Sequence, residues 1–170
     1  PLPRCAAPKQ RAAALRRAGM QLMAAPAVVT GGASGLGEAR ARELAPRGAR
    51  VAIFDRDADR GEKVAAEIGG VFCEVDVTSD EKVAAAFAKA RAAHGQERVL
   101  INCAGVANAA KTVGRNKETG EPRPYPRAQF ELAIHINLIV SFRCLSQAAP
   151  GTVGPGPLHT RQRGTVHHTP

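Results

Sequence analysis

Thr30-Gly31-Gly32-Ala33-Ser34-Gly35-Leu36-Gly37 places four glycines in eight positions, directly after the apolar run Ala27-Val28-Val29. Such a stretch is either a flexible turn or a cradle for phosphate. A phosphate needs backbone N–H groups aimed at it and a helix N-terminus behind it. Glycine allows the turn and the close approach because it has no Cβ. The apolar run reads as a strand and Leu36 to Leu44 as a helix, which is the setting that gives the motif meaning. The spacing departs from G-x-G-x-x-G, so other residues have to agree with it.

Asp55 ends the next apolar run, 24 residues after Gly31. A carboxylate there accepts hydrogen bonds from an adenosine ribose and repels a 2′-phosphate, which favours NAD over NADP. Arg56 beside it is a counterweight, and a capping or loop carboxylate is the alternative role for Asp55. Asp76 and Val77 follow the third apolar run, and Asn102-Cys103-Ala104-Gly105 follows the fourth. Small residues at strand ends let a nucleotide lie where ligands bind in open parallel sheets.

The elements that must position these residues alternate. Strands are expected at 27–30, 50–54, 71–75 and 98–102. Helices are expected over 36–44, stopped by Gly48, and over 57–68, with Asp57 near the start and Gly69-Gly70 at the end. A third begins at a capping box of Thr78 and Glu81, presents Val83 and Phe87 on one face and ends at Gly95. Residues 106–127 read as one long loop, followed by a helix from about Arg127 to Ser146. Alternation of this kind implies right-handed crossovers and a parallel sheet. The fold class is therefore α/β: a Rossmann-like parallel sheet with helices on both faces. Three regions are expected: a basic, disordered extension (1–25), a nucleotide-binding domain (26–149), and an irregular tail (150–170) ending in a remnant of a fifth strand.

Together these motifs resemble the short-chain dehydrogenase/reductase family. Its T-G-x-x-x-G-x-G motif is matched by Thr30, Gly31, Gly35 and Gly37. Its N-x-A-G motif is matched by Asn102 to Gly105, and its acidic residue after the third strand by Asp76. The wording "TGGASGLGEA", "DVTSDE", "INCAGVANAAKTVGR" and "INL" is most similar to the 3-hydroxyacyl-CoA dehydrogenase type 2 branch. The resemblance implies that Ser34, Leu36, Asp55, Asp76, Val77 and Cys103 contact NAD. It also implies a catalytic role for Asn137, which in the family holds a water linking the catalytic lysine to solvent. Val140 stands where the family usually has glycine, so crowding of a neighbouring helix or of the cofactor is expected.

The family's chemistry moves hydride between the nicotinamide and a secondary alcohol or ketone, with the Tyr of Y-x-x-x-K as acid/base and a Ser orienting the substrate. These 170 residues contain no such set. The one tyrosine, Tyr125, precedes the asparagine helix and has Gln129 four positions later, so it reads as a loop residue. "QRGTVHHTP" (162–170) resembles the family's run into its fifth strand, with His167 and His168 where an apolar residue and Asn are expected. Adjacent histidines in a strand point to opposite faces, so no metal site is expected. Without the family's further strands and helices, a sheet edge and apolar faces should be exposed.

Composition narrows the partners. The net charge of +9 suggests nucleic acid at first sight. The excess lies at the ends, in Arg4, Lys9, Arg11, Arg16 and Arg17 and in Arg143, Arg161 and Arg163, with no acid in either segment. The body nearly balances and has no tryptophan for base stacking, so nucleic acid is not an expected partner. No membrane span is expected, since no apolar run approaches about 20 residues. Cys5, Cys73, Cys103 and Cys144 match no zinc spacing and read as reduced thiols. An intracellular, cytoplasmic location is expected, with the alternative that residues 1–19 are a mitochondrial transit peptide. Lys111, Arg115, Lys117, Arg123 and Arg127 are either a solvated charged loop or contacts for CoA phosphates.

Three functions stay open: the NAD-binding portion of a dehydrogenase acting on a small-molecule substrate such as a 3-hydroxyacyl-CoA, a nucleotide-binding or interaction module without catalysis, and a non-functional remnant. Family members are commonly homo-oligomers.

Overall fold

The computed structural model describes residues 22–107, 111–154, 156 and 163–169. Most of the expected N-terminal extension, including its five basic residues, lies outside the described residues. So does most of the 155–162 stretch.

Five parallel strands form the central sheet in the order β3-β2-β1-β4-β7. They are β1 (Pro26–Thr30), β2 (Arg50–Asp55), β3 (Val71–Glu74), β4 (Val99–Asn102) and β7 (Thr165–His168). β1 is buried along its whole length, as a central parallel strand covered on both faces must be. The crossovers are α1 (Gly35–Leu44), α2 (Ala58–Ile68) and α3 (Asp80–His94). Side chains alternate along each strand and build two cores. One holds Val28, Phe54, Leu100, Val83 and Phe87 under α3, and the other holds Val29, Val51, Ile53, Ala41, Val64 and Phe72 under α1 and α2. Phe54 and Phe87 meet edge to face at 5.1 Å, locking α3 onto β2.

Several boundaries differ from the sequence expectation. Residues 106–127 are not one open loop: β5 (Val113–Arg115) and β6 (Pro122–Pro124) pair antiparallel. The capping box does not form. Ser79 caps α3 by accepting the Lys82 N–H, and the Thr78 hydroxyl turns back to Asp76 instead. The helix expected to stop near Ser146 runs through Val153, with Pro150 inside it, so the segment from 150 is helical for its first residues. It comprises α4 (Arg127–Ile134), a π-turn (His135–Ile139) and α5 (Val140–Val153). The run Arg127–Val153 is long and apolar enough to cross a membrane by length and composition, against the expectation of no such stretch. The apolar residues are spread along the run rather than contiguous. Here Val140, Cys144 and Ala148 bury its inner face against α3 and β4. Val140 is 1% exposed and packs in the core cluster with Val83, Ala86 and Phe87 of α3. Burial raises the Cys144 thiol pKa to about 11.

The outer face of the same helix leaves Phe130, Leu138 and Phe142 more than half exposed, as expected for an uncovered side. β7 completes the sheet despite its two histidines, pairing in register with β4 from Val99↔Thr165 to Asn102↔His168.

Candidate functional site

The glycine-rich turn leaves β1 and enters α1 at the carboxyl edge of the sheet. Gly37 is required by close approach: a Cβ there would stand 2.0 Å from the Gly31 carbonyl oxygen. Gly35 adopts φ +54°, and a Cβ on it would meet nothing within 4 Å, so the turn opens toward free space. Ser34 is the N-cap of α1 and makes no side-chain cap bond. The first-turn N–H groups of a helix have no intrahelical partner, so this helix end presents donors and a positive dipole end to whatever fills that space.

Asp55 sits at the C-terminus of β2 and holds the turn. Its Oδ2 accepts the Ala33 N–H at 3.0 Å and its Oδ1 accepts the Asp57 N–H at 3.1 Å. Each carboxylate oxygen keeps a further acceptor position. Asp76 is fixed in a similar way, its Oδ1 accepting both the Thr78 N–H (2.9 Å) and the Thr78 hydroxyl (2.7 Å). The Thr78 hydroxyl and amide hold this carboxyl below the usual Asp range.

A cleft of about 410 Å³ joins these pieces and is lined by the turn Ser34–Gly37, by Asp55 and Arg56 and by Val75–Thr78. Gly31, Asp76, Val77, Cys103, Ala104 and Gly105 also line it. A second cleft of about 570 Å³ shares Leu36 and Cys103–Val106 with the first and adds Asn102, Asn137, Ser141 and His168. Lys111, Arg115, Lys117, Arg123 and Arg127, the candidate contacts for CoA phosphates, line neither cleft, and of the candidate cofactor-binding and catalytic residues only Thr30 lines neither. It is fully buried, and its Oγ1 accepts the Ala104 N–H at 3.2 Å, so it anchors the Asn102–Gly105 turn from behind. Tyr125 lines neither, its backbone N–H bonding the Thr112 carbonyl.

Asn137 lies within the π-turn. Its Oδ1 accepts the Val106 N–H and its Nδ2 donates to the Val106 carbonyl, both at 2.9 Å. The side-chain amide thus pairs with one residue as a neighbouring strand would, and pins the end of the N-C-A-G turn. Buried Asn102 donates from Nδ2 to the Ser141 carbonyl, tying β4 to the same helix. The π-turn, Val106, Thr78 and Ile136 are parts of the site that sequence reasoning missed. A π-turn has no composition of its own, and the other three fall in loops or on a helix whose facing residues the pattern does not reveal. His168 lies 3.4 Å from Asn102, while His167 contacts Thr165.

Comparison with known proteins agrees with this geometry. The family model described as short chain dehydrogenase matches residues 25–166. The 3-hydroxyacyl-CoA dehydrogenase type-2 of Drosophila melanogaster is 39% identical over 148 residues, covering 85% of this chain and 56% of that protein. The human protein of the same name is 36% identical over 146 residues, covering 84% and 54%. The mitochondrial (-)-isopiperitenol/(-)-carveol dehydrogenase of Mentha piperita is 36% identical over 150 residues, covering 84% and 53%. Among solved structures, that of a ribose-5-phosphate isomerase from Brucella melitensis 16M superimposes with a TM-score of 0.69 at 31% identity, covering 88% of this chain and 52% of that one. The chain spans about half the length of the curated relatives it matches. Its turn, its strand-end carboxylates and its family match make it a member of the short-chain dehydrogenase family of oxidoreductases, with similarity to the 3-hydroxyacyl-CoA dehydrogenase type 2 branch.

Proposed function

We propose that this chain is the NAD-binding portion of a short-chain dehydrogenase that oxidises a secondary alcohol or reduces the matching ketone. The substrate class proposed is a 3-hydroxyacyl-CoA, on the similarity to relatives named for it. One observation carries the reading. The uncapped N-terminus of α1 and the Asp55 carboxylate face one cleft, joined by the 3.0 Å bond from the Ala33 N–H to Asp55.

The residues fit the cofactor. Gly35, Leu36 and Gly37 would hold the pyrophosphate, with open space in front of Gly35. Asp55 would accept from the adenosine ribose hydroxyls and repel a 2′-phosphate, which selects NAD over NADP. Asp76 and Val77 would border the adenine, and Cys103 to Gly105 the middle of the dinucleotide. When bound, the nicotinamide supplies the hydride acceptor or donor. Asn137 holds the Val106 end of the second cleft, so this chain's own contribution is to bind, orient and wall the cofactor.

A second reading is a nucleotide-binding or interaction module without catalysis, which would use the same cleft. Calorimetric titration of the chain with NAD and NADP tests both. The dinucleotide reading expects saturable heat with NAD and at least roughly tenfold weaker binding of NADP, since one like-charge contact of about 1.4 kcal/mol is a factor of ten. No heat up to millimolar NAD would overturn both readings. Asp55→Asn should weaken NAD by about tenfold and narrow the NAD/NADP ratio, because it removes a charged acceptor. Hydride transfer catalysed by the chain from a 3-hydroxyacyl-CoA to NAD, giving the 3-ketoacyl-CoA, NADH and a proton, would exclude the second reading.

A further inference from the structure

Arg143 lies on α5, outside both clefts, with only 12% of its side chain exposed. Its Nε pairs with the Asp80 carboxylate at the start of α3. Its Nη1 donates to the Val77 carbonyl at 2.9 Å. The guanidinium therefore forks across the segment that connects β3 to α3 and clamps it to α5. That segment is one wall of the first cleft.

The carbonyl of Val77 and the N–H of Thr78 belong to one rigid, planar peptide unit. Arg143 holds the carbonyl end of that plane. The N–H end donates to Asp76 Oδ1 at 2.9 Å. Rotating the plane to release Arg143 would also swing the Thr78 N–H away from Asp76. The orientation of the Asp76 carboxylate is thus set from behind by a residue 67 positions along the chain. The same segment is tied to β2 by the Val75 N–H on the Asp55 carbonyl at 2.9 Å. Asp55 and Asp76 consequently share one frame, with Arg143 as its third fixing point.

We propose that Arg143 is a positioning residue for the adenine end of the nucleotide site, holding the Val77–Thr78 peptide so that Asp76 and Val77 meet the adenine in a fixed geometry. The proposal rests on the NAD reading above. It assigns Arg143 no contact with the ligand.

The test uses the whole chain and its variants Arg143→Met and Arg143→Lys, with NAD and ADP-ribose as calorimetric probes and hydrogen exchange at the Thr78 amide. Arg143→Met keeps the buried stem and removes both polar bonds. Its Kd is expected to rise about five- to tenfold for both probes, in line with loss of a charge-assisted hydrogen bond, with faster exchange at Thr78. Arg143→Lys keeps the charge beside Asp80 without the fork and should fall between parent and Arg143→Met. If Arg143→Met does not fold, Arg143→Lys carries the test alone. Asp57→Ala is the control for a merely structural effect, since it should lower stability without moving either Kd. Variant Kd values within twofold of the parent, or a Thr78 amide as protected as before, would overturn the proposal and leave the NAD reading standing. A parent chain that binds neither probe overturns both.

Discussion

The N-termini of α1 and α2 are built from the same materials and finished differently. At α2, Asp57 accepts the Arg60 N–H and the helix end closes on itself. At α3, Ser79 does the same with the Lys82 N–H. At α1, Ser34 has a hydroxyl in the N-cap position and makes no cap bond. The difference lies in what faces each end. The α1 end opens into the cleft shared with Asp55, Asp76 and the Asn102–Gly105 turn, while Asp57 and Ser79 lie outside it. A cap stabilises the helix it closes, whereas an open end keeps its donors for an anion. Of the three crossover helices α1 to α3, two are closed by a side-chain cap and one is left open toward the cleft.

The comparison breaks most severely at Gly37. Gly37→Ala forces a methyl group into the Gly31 carbonyl, which no rotamer relieves. It should cost about 3 kcal/mol of stability and abolish measurable NAD binding. Denaturant unfolding and calorimetry check both, and a variant that binds NAD like the parent would show that the turn is not the cradle. Exchanging the two kinds of end is sharper. Ser34→Asp gives α1 the cap that α2 has. The helix should gain about 0.5–1 kcal/mol, while NAD affinity drops about tenfold because a carboxylate now occupies the anion position. Unchanged affinity in that variant would mean that phosphate does not sit at this end. The smallest effect is expected from Asp57→Ala. It should cost about 1 kcal/mol in chemical unfolding with NAD affinity within about twofold of the parent. A large loss of affinity there would show that the two helix ends are coupled after all.

Much of the site was legible because it follows short-range rules. The turn at 30–37 is marked by glycine spacing after an apolar run. Asp55, Asp76 and Asn102 each end an apolar run, so their common edge follows once the strands are taken as parallel. Asp57 and Gly95 as helix boundaries follow from local capping. The misreadings have other causes. Thr78 and Glu81 look like a capping box, yet Ser79 won the cap because the Thr78 hydroxyl found Asp76 at 2.7 Å. Thr30 looks like part of the cradle wall, yet its hydroxyl supports Ala104 from inside the core. The helix expected to end near Ser146 continues past Pro150 because Cys144 and Ala148 remain buried on the sheet. At Thr78 a competing partner two residues away decided, whereas for Thr30 and for the helix a contact from a distant part of the chain did.

The role of Arg143 shows this most plainly. Its position on a largely apolar helix says nothing about Val77, 66 residues earlier. Nor does "INLIV" announce a π-turn, or that the Asn137 amide pairs with both backbone groups of Val106. By itself the sequence determined the α/β class, the parallel sense of the strands and the edge where the motifs converge, because periodicity and glycine sterics act over a few residues. Only the tertiary structure decided which side chains face the cleft, which hold it from behind, and which helix end stays open, because those outcomes depend on hydrogen-bond partners that packing brings together from distant parts of the chain.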